Sequence, residues 1–182
     1  MLKRVSLKEN DVVSLQLRDD LFTLAQMRRN HIMQFFDVHS TKSGWGEVDL
    51  NGKPSLFFAF VAENRFKPIL VAKVGSSEVV PSRAAIPRLM LSSRYEDGGF
   101  GADLVELTET YDSYPVRVVK ERLSIDEDLE LIRRHELTGM LGDAEKLKKR
   151  LIRHFDTGVN WDDAKSFLFK GVPLPAPEAK RN

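Results

Sequence analysis

The chain has 182 residues, of which 42% are apolar and 30% charged, and its formal net charge is only +1. This length and apolar content suit one folded domain with an ordinary core. The near-neutral charge disfavours non-specific nucleic-acid binding, which usually requires a clear excess of bases. The absence of cysteine excludes disulfides, thiolate metal ligands and thiol catalysis. Since no apolar run approaches the roughly 20 residues of a membrane span, the sequence predicts a cytoplasmic protein.

The first part of the chain predicts a β-meander. Short apolar runs with alternating polarity fall at 13–17, 21–27 and 31–38, and short polar turns separate them. The turn-rich segment 40–54 is expected to form a long loop or a small hairpin. The run Leu56–Val61 is apolar on both faces, so it predicts a central strand that is covered on both sides.

The apolar period becomes helical near residue 123. Ser124 and Glu127 have the spacing of a capping box, in which each side chain caps the backbone N–H of the other residue. Helices are therefore predicted within 124–170. Their buried face is expected to comprise Leu129, Ile132, Leu147, Leu151, Phe155 and Phe167.

These patterns together predict an α+β fold in a single domain spanning 1–182. A twisted, mainly antiparallel sheet or partly open barrel is expected over 10–120. The helices at 124–170 are expected to pack on it, and the proline-rich segment 173–182 predicts an extended tail.

Sequence motifs for catalysis are absent. The chain has neither a phosphate-binding loop motif nor a nucleophile elbow. Its four histidines lack a spacing that would bring them together on one metal ion. The sequence therefore predicts no enzyme activity, no cofactor and no metal site. An enzyme whose site carries no known motif is the remaining alternative.

The segment 95–112, here called the acidic segment, carries six acids and no lysine or arginine. Acids with interleaved aromatic residues suit an interface with a basic protein partner. The alternative is a solvated loop and an edge strand whose acids keep it soluble. The residues predicted to contact a partner are Tyr95, Glu96, Asp97, Phe100, Asp103, Glu106, Glu109, Tyr111 and Asp112.

A second charged feature is the basic helix, residues 146–153. It carries five bases in eight positions, namely Lys146, Lys148, Lys149, Arg150 and Arg153. These bases could lie against nucleic acid or an acidic surface, or they could form the solvated face of an amphipathic helix. A nucleic-acid-binding or adaptor module that uses the basic helix is therefore the second functional hypothesis.

The opening strands resemble those of bacterial immunity proteins. A polar-Asp-apolar strand at Asn10–Leu17 is followed by a short acidic turn, an aromatic-containing strand at Leu21–Met27, and a strand ending in Phe-Asp at Ile32–Asp37. This pattern is similar to the N-terminal meander of the polymorphic-toxin immunity family numbered twenty-six. The resemblance implies a protein that binds and blocks a co-encoded toxin, often a nuclease, inside the producing cell. It implies no enzyme activity, and the expected partner is a cognate toxin with a basic active-site surface.

Overall fold

The computed structural model describes residues 6–96 and 98–177, without the side chain of Glu96. The predicted α+β class is confirmed, because a large antiparallel sheet precedes C-terminal helices. The large sheet is not a closed barrel, since its strand order ends at two different edge strands.

The secondary structure follows the chain in this order. The strands are β1 (Val12–Arg18), β2 (Leu21–Met27), β3 (Ile32–Ser40), β4 (Val48–Asp49), β5 (Ser55–Phe60), β6 (Leu70–Val74), β7 (Val79–Val80), β8 (Leu89–Glu96), β9 (Gly99–Glu106) and β10 (Arg117–Lys120). The helices of the described residues are α1 (Ile125–Arg134), α2 (Ala144–Thr157) and α3 (Asp163–Leu168).

The residues form two compact units by their contacts. Unit 1 comprises the chain up to Ile86 together with Met140–Lys149, and unit 2 comprises Pro87–Gly139 and the chain from Arg150 onward. Strands β8, β9 and β10 share unit 2 with α1 and α3.

Unit 1 contains a five-stranded antiparallel sheet with the order β5-β3-β2-β1-β6. The predicted meander of the first three strands is confirmed. Every residue of β2 is buried, so this strand occupies the centre. Asn30 and His31 both adopt positive φ angles in the tight β2–β3 turn, where Ile32 donates its backbone N–H to Arg29.

The prediction that Leu56–Val61 forms a central strand is wrong. Strand β5 lies at the edge of the sheet beside β3. Apolar side chains on both faces show that a strand is covered by packing, but they do not reveal how many neighbours its backbone has. Beyond the strand's end, Leu141 donates its backbone N–H to the carbonyl of Phe60 at 2.7 Å. The segment 40–54 is mostly a loop, one of its two predicted forms, and it forms no hairpin because its short strand β4 pairs in parallel with β7.

Unit 2 contains a three-stranded antiparallel sheet with the order β10-β9-β8. Strand β8 was not predicted, and β9 begins at Gly99 within the acidic segment. Leu91 and Leu104 of this sheet belong to one buried core with Ile132 and Trp161.

The predicted helices are confirmed, and so is one half of the capping box, since Ser124 Oγ accepts from the backbone N–H of Glu127 at 3.2 Å. The other half is wrong, because the backbone N–H of Ser124 donates to Asp128 Oδ2 at 3.1 Å and not to Glu127. Ile132, Leu147 and Leu151 are buried as expected. The prediction for Phe167 is wrong, because this side chain is 63% exposed.

The inward face of α3 is formed by Lys165 and Leu168, both of which are buried. The α-helical period allows only one stripe of this short helix to face the core. Because Lys165 occupies that stripe, Phe167 points to the surface.

Candidate protein interface

Three exposed aromatic side chains lie together at the tip of the β8–β9 hairpin. Tyr95 pairs with Phe100 across the two strands, and their ring centroids are 5.0 Å apart. Phe167 from α3 packs against Phe100 at 4.5 Å. The three side chains, here called the aromatic row, are 73%, 51% and 63% exposed respectively.

The aromatic row continues the apolar face of the unit 2 sheet beyond its core. Side chains two positions apart on a strand point to the same face. Phe100 therefore shares a face with the buried residues Ala102 and Leu104. Each aromatic side chain covers roughly 150–250 Å² when fully buried, so the row exposes an apolar patch of the size that often marks a binding site.

The predicted interface residues beside the row are only partly described. Asp97 lies outside the described residues, as does the side chain of Glu96. Asp103 is half-buried, and one of its carboxylate oxygens accepts from Arg94 Nη1 at 3.0 Å and from the backbone N–H of Arg122 at 2.7 Å. This carboxylate is therefore neutralised by a neighbouring base.

Glu106 lies at the opposite end of β9 and is also paired. Its carboxylate accepts hydrogen bonds from the guanidinium of Arg117, and Arg88 Nη2 lies 3.5 Å away. The Arg117 hydrogen bond is the main reason that the pKa of Glu106 is lowered. Asp103 and Glu106 thus do not form the uncompensated acidic surface that the sequence suggested, because bases from outside the acidic segment reach them.

The remaining predicted residues lie in the loop between β9 and β10. Asp112 accepts from Thr108 Oγ1 at 3.2 Å, and Tyr111 has a positive φ angle in the same turn. Glu109 is exposed. Glu106 lies six positions after Phe100 along β9, which is about 20 Å at the rise of a strand. The described residues among the nine are therefore spread along the hairpin and the β9–β10 loop, and they do not form one surface.

The basic helix does not present a continuous cationic stripe. Arg150 is buried, and its guanidinium binds the Glu136 carboxylate through two hydrogen bonds of 2.8 Å. Arg153 donates to Asp163 at 2.8 Å. The exposed bases of this helix are Lys146 and Lys149.

A buried ionic cluster, which sequence reasoning missed, lies inside unit 2. Lys165 Nζ is 3.7 Å from the Glu136 carboxylate and 5.1 Å from the centre of the Trp161 ring. Burial is the main reason that the pKa of Lys165 is lowered. Burial alone would raise the pKa of Glu136, but the adjacent Arg150 and Lys165 cations outweigh it and lower the pKa to about 2. With Lys165 and Arg150 inaccessible to solvent, the cluster has a structural role.

Other kinds of site find no support among the described residues. Within 6–96 and 98–177, no group of three or more histidines, aspartates and glutamates is placed to hold a metal ion. In the same part of the chain, no helix combines the length and apolar character needed to cross a membrane.

The fold and the aromatic row define an α+β protein with an exposed aromatic surface, formed by its three-stranded sheet and α3. The chain belongs to the family described as a domain of unknown function, DUF8309, which matches residues 2–173. No curated protein and no solved structure shows a significant match.

Proposed function

We propose that this protein is an immunity protein, which binds a cognate bacterial toxin in the cytoplasm and neutralises it. The resemblance of the opening strands to immunity proteins is one support for this proposal. The second, which carries it on structural grounds, is the aromatic row.

The aromatic row has the composition of a binding hot spot. Aromatic side chains are enriched among the few interface residues that supply most of the binding energy. In the free protein, Tyr95, Phe100 and Phe167 are all more than half exposed. Burying them against a partner would remove this apolar surface from water, which stabilises the complex.

The proposed partner surface is basic. Glu96 and Asp97 directly follow Tyr95 in the sequence, so the hairpin that carries the row also carries acids. A nuclease toxin must present cationic side chains to phosphates. Carboxylates beside an apolar anchor would compete for those cations and would speed the association at low salt.

The pairing of Arg150 and Arg153 weighs against the second hypothesis, a nucleic-acid-binding or adaptor module. Nucleic-acid affinity depends on bases that are available to neutralise phosphates. Two of the five bases of the basic helix already bind carboxylates of the same chain.

The proposal can be tested by purifying the tagged protein from its native host, identifying the bound protein, and measuring its affinity. The variants Tyr95→Ser and Phe100→Ser should each weaken binding at least about tenfold, the loss of a hot-spot residue. Tyr114→Ser is a matched control, since Tyr114 is 86% exposed but lies outside the row. A bound enzyme whose activity is not inhibited, or binding that tolerates both row variants, would refute the proposal.

A further inference from the structure

The outer edge of β8, the side away from β9, is already partly occupied by the chain itself. Leu91 donates its backbone N–H to the Glu136 carbonyl at 2.7 Å, and its carbonyl accepts from the N–H of Thr138 at 2.8 Å. Leu137 forms a parallel bridge with Leu91 at this place. The backbone groups of Leu91 therefore point away from β9, and this edge accepts a parallel extended segment.

The same edge is open further along the strand. The β8–β9 register runs without a shift from Leu89 to Glu96, and backbone groups in an antiparallel pair alternate between the two sides. The N–H and C=O groups of Ser93 and Tyr95 therefore point outward like those of Leu91. Among the described residues, neither backbone has a partner beyond the β8–β9 ladder, and both residues are exposed.

The two edges of this sheet differ in their protection. At the other edge, β10 is short, its register shifts between Val118 and Lys120, and its ends carry Arg117 and Lys120. Bulges and charges of this kind prevent unwanted strand pairing. The stretch from Ser93 to Tyr95 has no register shift, and its one charged residue, Arg94, is bonded to Asp103 of the same chain. Tyr95 itself belongs to the aromatic row.

We propose that the open edge at Ser93 and Tyr95 binds an extended segment of the partner protein as an additional strand. The inference rests on the proposed function, because it describes how the proposed partner would bind. Main-chain hydrogen bonds would supply affinity, and side chains would supply specificity. An apolar side chain of the added strand would pack on the aromatic row, and a neighbouring base would be attracted by the acids that follow Tyr95 in the sequence.

A second copy of the chain fits this edge less well. In an antiparallel β8–β8 pair centred on Arg94, each Arg94 already donates to Asp103 of its own chain at 3.0 Å, so the two copies would offer each other no uncompensated charge at this edge. The partner segment is therefore assigned to a different protein.

The substitution Ser93→Pro separates strand addition from other modes of binding. Proline lacks the backbone N–H, and it is tolerated on edge strands where that group faces outward. The β8–β9 ladder should therefore survive, whereas an added strand would lose a hydrogen bond and meet the proline ring. Ser93→Ala is the matched control because it retains the N–H.

The experiment uses two probes, the identified toxin and a displayed library of random peptides. The peptides are about ten residues long, which is enough to cover this edge. Selected peptides should carry an apolar residue next to a base. They and the toxin should bind Ser93→Pro at least about tenfold more weakly and Ser93→Ala normally, with a circular dichroism melt showing that both variants fold. Hydrogen exchange should show protection of the Ser93 and Tyr95 amides in the complexes.

The outcomes distinguish the two proposals. Toxin binding that tolerates Ser93→Pro but is lost in Phe100→Ser would overturn strand addition and retain the immunity function. If peptides bind at this edge but no toxin partner is found, strand addition is retained and the immunity function is refuted. A library that yields no binder, or a dimer of the free protein that Ser93→Pro dissociates, would also overturn the assignment of the edge to a partner strand.

Discussion

Arg150 donates one hydrogen bond to each carboxylate oxygen of Glu136, both at 2.8 Å. The backbone carbonyl of Glu136 meanwhile accepts from the N–H of Leu91 in β8. Glu136 thus joins α2, through its side chain, to the β8 edge of the three-stranded sheet, through its backbone. Since the Arg150 guanidinium and Lys165 are both buried, removing the Glu136 charge would weaken the compensation of two buried cations, although Asp162 remains 4.0 Å from Arg150.

Glu136→Gln is therefore expected to destabilise the protein by about 3–5 kcal/mol, the cost of breaking a buried ion pair on one side. The free energy of unfolding from urea titration measures this change. Glu130→Gln is the control, because the Glu130 side chain is 87% exposed and lies 3.3 Å from Arg133. That surface pair should contribute no more than about 1 kcal/mol. Equal losses in the two variants would contradict the structural role assigned to the cluster.

His135 should make the stability sensitive to mild acid. Burial is the main cause that lowers the pKa of His135 below its ordinary value of 6.5. Above that pH the side chain is neutral in both the folded and the unfolded chain, so it has no effect. As the pH falls through 6.5, the unfolded chain binds a proton before the folded protein does, and stability decreases.

Urea midpoints measured between pH 8 and pH 5, at intervals of about half a pH unit, would reveal this decrease. His135→Asn should reduce the slope near pH 6.5. The carboxylate of Glu136 acts in a different window, because its pKa of about 2 lies below the ordinary 4.5. Its contribution is present above pH 4.5 and is lost as the pH falls towards 2. A slope near pH 6.5 that is unchanged in His135→Asn would refute the assignment to His135.

The class of the fold could be predicted because alternation and helical period are local properties of the sequence. The meander of β1, β2 and β3 and the Ser124 cap followed from such patterns. Strand β8 was missed because its second half, Ser92–Glu96, is polar in sequence and lacks an apolar alternation. Its formation depends on pairing with β9, which is a tertiary property that the residues themselves do not reveal.

The site was predicted only in part for the same reason. Tyr95 and Phe100 were identified as interface residues from their places in the acidic segment. Phe167 was assigned to the core because Lys165 was not expected to be buried, and a lysine rarely is unless it is paired. The partners of Asp103 and Glu106 come from neighbouring strands, so the linear charge count overstated the free negative charge.

The burial of Leu151 in α2 and the exposure of Phe167 in α3 can be tested by truncating each side chain to alanine. Leu151→Ala should cost about 2–5 kcal/mol, since Leu151 is buried and its loss leaves a cavity. Phe167→Ala should cost less than about 1 kcal/mol, because an exposed side chain gains little from folding. Denaturant melts of both variants measure the difference. A larger loss for Phe167→Ala than for Leu151→Ala would mean that α3 presents the opposite face to the core.

If the protein is an immunity protein as proposed, the toxin should bind the end of the β8–β9 hairpin that carries the aromatic row. The variant Glu106→Gln/Glu109→Gln/Asp112→Asn removes the carboxylates at the end far from the aromatic row. Because Glu106 is already paired with Arg117, it offers little free charge to a partner, and the triple variant should bind the toxin with an affinity within about twofold of the parent. Phe100→Ser should instead raise the dissociation rate and weaken binding at least about tenfold.

Surface plasmon resonance at low and moderate salt resolves both rate constants for each variant. A slower association and a flatter salt dependence in the triple variant would place the contact at the acidic end, since these changes report lost electrostatic steering. Melting temperatures close to that of the parent would ensure that the comparison concerns binding. If the triple variant loses affinity while Phe100→Ser retains it, the aromatic row is excluded as the interface, because an anchor that can be removed without cost supplies no binding energy.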